Sequence, residues 1–141
     1  MRTIEDVTRE LTDLERRAAF ALESCNVGIW EWKIDKGDWI WDTQMLILFG
    51  VTKEEYNDDR VLSALIHPED MDGVRSAFRN TLDCNTPFDI VFRSRYIGDW
   101  KHIRMRGSVH CDADGSNKSL IGVAFSDTHC CLNAKTCEVR R

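Results

Sequence analysis

The chain is 141 residues long, with 19 Lys and Arg against 24 Asp and Glu and a net charge of −5. That length supports one core plus an appendage, and an acidic balance with no basic stripe excludes nucleic acid as the main partner. No apolar run approaches the roughly 20 residues of a membrane span and the N-terminus lacks a signal-peptide core, so the expectation is a cytoplasmic piece with no membrane contact of its own.

Residues 3–24 read as a helix, with Thr3 and Asp6 set as a capping box. Ile4, Val7, Leu11, Leu14, Ala18 and Ala21 follow a 3-4 spacing, a seam about three heptads long. Two readings stay open: an amphipathic helix laid across its own sheet, or a parallel coiled coil joining two copies.

Gly28–Asp42 carries four of the five tryptophans. Trp30, Trp32 and Ile34 alternate with Glu31, Lys33 and Asp35, a strand pattern. The turn Asp35-Lys36-Gly37-Asp38 returns the chain as a second strand, Trp39-Ile40-Trp41. A lone hairpin is unstable in water, so a larger sheet must complete it.

Asp42 can cap a short helix through Met45–Phe49 that ends at Gly50, and Thr52 to Glu55 forms another capping box. After His67, Pro68 suits a first helical position, and Glu69 and Asp70 suit the positive end of the next helix dipole. That helix carries Met71, Val74, Phe78 and Leu82 on one stripe, with Asp72, Arg75 and Arg79 outside it. Phe88, Ile90, Phe92 and Tyr96 then alternate with polar partners. Ile103, Met105, Gly107 and Val109 do the same, and Leu120–Phe125 is a nearly continuous apolar strand. Short turns between these three strands imply an antiparallel meander. The sum is an α+β domain of about five strands.

Catalysis is not expected. Glu31, Asp35 and Asp38 are neighbouring carboxylates on an exposed strand face and turn, with nothing to desolvate them. No Ser/His/Asp set, phosphate-cradling loop or nucleophile elbow occurs. The six cysteines, Cys25, Cys84, Cys111, Cys130, Cys131 and Cys137, show no zinc or haem-attachment spacing. They read as scattered reduced thiols, with a redox or metal role left open for Cys130, Cys131 and Cys137. His67 has a turn role beside Pro68, while His102 and His110 share a solvated face with Arg104 and Arg106, so haem lacks an evident ligand.

Gly28-Ile29-Trp30-Glu31-Trp32, then Trp41, Leu48-Phe49-Gly50 and Ile66-His67-Pro68-Glu69-Asp70, resembles a PAS domain of the subgroup whose signatures read GIWEWD and IHPED. Pro87-Phe88-Asp89, Gly98-Asp99-Trp100, Gly122-Val123 and Asp127-Thr128 extend the resemblance over about residues 24–128. It implies a five-stranded antiparallel sheet of order 2-1-5-4-3, with helices on one face and an N-terminal flanking helix. The implied division is a helix over 1–24, the PAS domain over 25–128, and a tail or linker over 129–141.

The implied function is a sensory relay upstream of a histidine kinase or diguanylate cyclase, working as a homodimer linked to an output domain; a ligand-free dimerisation module is the alternative, and a flavin or haem redox or gas sensor the lesser one. A small molecule held between the helices and the inner sheet face is expected to touch Trp30, Trp32, Phe49, Phe78, Phe92, Met105 and Phe125. The reactive cysteine of the family's flavin light sensors, in a GxNCRFLQ helix, has no counterpart here. Trp30, Trp32, Trp39 and Trp41 could stack on a non-covalent flavin, but they read first as core, so the cofactor stays open, with none the first expectation and flavin or haem not indicated. The family's Asp-Ile-Thr junction is altered, since Asp127 is followed directly by Thr128 and then His129-Cys130-Cys131.

Overall fold

Residues 1–56, 60–115 and 118–127 are described by the computed structural model. Thr128, His129, Cys130, Cys131, Cys137 and the tail 129–141 lie outside the described residues.

Helix α1 spans Ile4–Ser24, and both halves of its capping box form: the Thr3 side chain accepts from the Asp6 amide, and Asp6 accepts from the Thr3 amide. The hairpin follows as β1 (Gly28–Lys33) and β2 (Asp38–Trp41), with Gly37 at φ 73° in the turn. Asp42 caps α2 (Thr43–Phe49) by accepting from the Met45 amide at 3.0 Å, and Gly50 ends it at φ 66°. Short helices α3 (Lys53–Tyr56) and α4 (Val61–Leu65) lead to a 3-10 turn, Pro68–Asp70, which runs into α5 (Met71–Cys84). Strands β3 (Phe88–Tyr96), β4 (Asp99–Cys111) and β5 (Lys118–Ser126) complete the chain.

The five strands form one antiparallel sheet of order β2-β1-β5-β4-β3, the order the resemblance implies. Helices α2 to α5 cover its inner face, where Trp30, Met45, Phe49, Phe88, Phe92, Ile103 and Met105 are fully buried. Trp30 lies at the centre. Its register partner on β5 is Gly122, which itself pairs with Gly107 of β4. A Cβ on Gly107 would stand 2.8 Å from the Trp30 ring and 2.7 Å from the Ile121 carbonyl, so the indole occupies the space that this absent side chain leaves. Its Nε1 donates to the Val123 carbonyl at 2.9 Å.

Two apolar surfaces stay uncovered. None of α1 is buried, and Ile4, Leu11 and Leu14 are 86, 55 and 57% exposed. The helix is therefore not laid across its own sheet, which removes that reading of its stripe. On the outer sheet face Ile29, Ile40 and Val91 are exposed, beside half-buried Ile121, Val123 and Phe125.

Candidate functional site

The ligand-pocket residues separate into three groups. Trp30, Phe49, Phe92 and Met105 fill the inner layer: Phe49 stacks on Phe92 with centroids 6.3 Å apart and on Trp41 at 5.0 Å. Trp32 and Phe78 are half-buried and stand together at the layer's edge, edge to face at 5.7 Å. Phe125 is a correction. It pairs with Arg104, whose neighbour Met105 pairs with Ala124, so Phe125 points to the outer face. Alternation fixes this, since Leu120 and Ala124 are the buried residues of that strand.

The rings of this inner layer stack on one another, from Trp41 through Phe49 to Phe92 and from Trp30 through Phe88 to Phe78. His67 faces the surface: its ring sits 4.4 Å from that of Trp100 and its Nδ1 accepts from the Glu69 amide. His102 and His110 are exposed on the outer face. Among the described residues no three His, Cys, Asp or Glu side chains gather as a metal set.

The open space lies at the edge of the layer. A groove of about 410 Å³ runs between the β1–β2 hairpin, α4 and α5, walled by Trp32, Trp39, Leu62, Phe78, Arg75 and Arg79. Trp39 and the two arginines were not among the residues singled out as pocket lining. The signal available was a pair of arginines one turn apart on α5, bordering its apolar stripe.

The Ile66–Asp70 turn ties the helical layer to β3. Asp70 accepts from the Arg93 amide at 2.8 Å and from its guanidinium at 2.8 and 2.9 Å, and Glu69 takes a further contact at 3.2 Å. The Arg93 side chain holds the Asp70 carboxyl down at about 2, against a smaller opposing effect of burial. The carboxylate therefore does more than favour a helix dipole; it fastens the turn to the sheet. Lys101 fastens α2 in turn, donating to the Leu48 carbonyl at 3.2 Å with its ammonium 4.2 Å from the Tyr96 ring centre, and burial lowers its pKa.

Glu31 and Asp35 line a shallow concavity interleaved with Lys33, Lys36 and Lys118. These carboxylates have cations for neighbours and solvent access, the setting of a surface and not of a general acid or base.

The family model described as the PAS fold matches residues 38–124. Probable diguanylate cyclase DgcE of Escherichia coli (strain K12) is 25% identical over 128 residues, 91% of this chain and 11% of that protein. The chain thus spans 11% of the length of that curated relative. A sensory box histidine kinase/response regulator from Burkholderia thailandensis E264 superposes with a TM-score of 0.66 at 22% identity, covering 87% of this chain and 93% of that one. The N-terminal domain of a diguanylate cyclase with PAS/PAC sensor from Marinobacter aquaeolei gives 0.63 at 20% identity, covering 71% of this chain and 94% of that one. No described helix is long and apolar enough to cross a membrane.

Proposed function

We propose, from the premise that this chain belongs to the PAS fold family, that it is the sensory relay of a histidine kinase or diguanylate cyclase, dimerising and passing an input to a linked output domain. The observation that carries this reading is α1, a 21-residue helix whose apolar stripe is covered by nothing among the described residues. A helix of this length gains most of its stability from packing, so an exposed stripe asks for a partner. A second copy supplies the same stripe by symmetry.

The α1 seam alone is short for a stable dimer, which needs about 800 Å² from each copy, and Ala18 and Ala21 bury little. The outer sheet face, with Ile29, Ile40 and Phe125, offers the remaining apolar area. An input that favours one packing of the helical layer over another biases this dimer, by as much as its affinities for the two arrangements differ. This reading gives the module a regulatory and not a catalytic role, and its exposed thiols Cys25, Cys84 and Cys111 suit a reducing, cytoplasmic setting. The ligand-free dimerisation reading draws on the filled inner layer.

Light scattering coupled to size exclusion at tens of micromolar tests the proposal. The dimer mass is expected, and Leu11→Glu with Leu14→Glu is expected to give a monomer whose melting temperature matches that of the dilute parent. A monomeric parent chain overturns it.

A further inference from the structure

Trp32 and Trp39 remain half-buried while their neighbours Trp30 and Trp41 are buried. The two indoles stack 5.8 Å apart at 17°, and both meet Phe78 edge-on, at 5.7 and 6.1 Å. They form an aromatic floor under the 410 Å³ groove, within the size range of sites for small molecules. Leaving such rings wet costs about 25 cal/mol for each Å², so a flat apolar ligand gains by covering them.

The rim of the groove is cationic. Arg75 reaches Asp72 only at 4.0 Å, with its own side chain 64% exposed. Arg79 makes no hydrogen bond or ion pair among the described residues. Asp83 is the acidic residue of the lining, a turn beyond Arg79, and the exposed Ser63 stands across from them on α4. Within the lining two guanidiniums face one carboxylate, and Asp72, fully exposed and outside the lining, is the second acid beside Arg75. Arg79 is the cation left over, and in a chain of net charge −5 it sits where an aromatic floor ends.

We infer that this groove binds a small flat organic monoanion, an aromatic carboxylate in chemical class. Its ring system lies on Trp32, Trp39 and Phe78, and its carboxylate takes the fork of Arg79 with Arg75 beside it. As the input of a relay the site rests on the sensory reading above, but the binding itself rests on the groove alone.

Indole N–H signals in a nitrogen–proton correlation spectrum test this directly, since the five tryptophans supply five reporters. Titration with naphthalene-2-carboxylate is expected to shift the Trp32 and Trp39 signals saturably, and further than that of Trp100, which packs on His67 outside the lining. Arg75→Glu with Arg79→Glu is expected to weaken binding by about tenfold or more, and Ser63→Phe, from an exposed position, to block it. Unmoved Trp30 and Trp41 signals show that both variants keep the fold. Naphthalen-2-ylmethanamine, the matching cation, is expected to bind at least about tenfold more weakly.

Absence of saturable shifts overturns the inference, as does equal binding of the amine, which reduces the groove to an apolar surface. Shifts of the Trp32 and Trp39 signals with protein concentration alone assign the groove to a second copy and also overturn it. A dimer that ignores the carboxylate sinks the ligand site and spares the relay; a monomer that binds it does the reverse.

Discussion

Gly107 faces Gly122 where β4 pairs with β5, and the Trp30 ring lies against Gly107. Alanine at 107 would set a Cβ 2.7 Å from the Ile121 carbonyl, a backbone atom that cannot turn aside. Gly107→Ala is therefore expected to destabilise the domain by about 1–3 kcal/mol, the cost of overpacking. Urea unfolding checks this, and an unchanged midpoint would mean that the strands part easily at this point. Trp41, by contrast, is clamped between Phe49 at 5.0 Å and Tyr56 at 5.7 Å, with its buried Nε1 lacking a partner among the described residues. Packing alone holds that ring.

At the scale of elements, the turn before α5 is joined to β3 by a charged clasp. Arg93 keeps the Asp70 carboxyl at about 2, below its ordinary 3.8. Because the folded pKa is the lower one, the clasp contributes its full stability above about pH 4 and loses it as pH falls towards 2. Arg104 lowers Asp89 in the same direction through its side-chain hydrogen bonds, so part of the acid sensitivity survives without Asp70. Asp70→Asn is expected to cost about 1–2 kcal/mol at neutral pH, after discounting for a carboxylate 23% exposed. It is also expected to flatten the fall in stability between pH 4 and 2. Melting curves of parent and variant across that range decide it; parallel profiles would show that the carboxylate's charge is idle.

The elements themselves were legible because local chemistry fixes them. Capping boxes at Thr3 and Thr52, the Asp42 cap and the Gly50 stop each form as the sequence implies. Strand β5 was harder, for a physical reason. Leu120, Gly122 and Ala124 face in, while Ile121, Val123 and Phe125 face out. Both sets are apolar, so period-two alternation carries no sign of direction and Phe125 could be given either face. The Asp70–Arg93 clasp joins residues distant in sequence, which no window can see. The groove was hidden for the same reason, since its indoles come from the hairpin and its guanidiniums from α5.

For the whole molecule, the uneven burial matters most. The core is built from β1 to β5 with α2 to α5, and α1 adds no buried residue to it. Removing residues 1–24 is accordingly expected to leave the melting temperature of the dilute protein within about 2 °C, while abolishing any rise of that temperature with concentration. Scanning calorimetry over a hundredfold concentration range checks both parts. A large drop at low concentration would show that α1 belongs to the core after all.

The Trp30 indole has one further consequence. Its backbone belongs to β1, its N–H is tied to β5, and its ring rests against Gly107 of β4. A slip of one residue by β4 would replace that bare glycine with a substituted carbon under the ring, and a slip by β5 would break the indole's hydrogen bond. The three middle strands are thus keyed like a plate on a pin, free to bow or twist as a unit but not to shear. In a relay of the kind proposed, pressure on the helical side would reach the far side of the sheet as curvature.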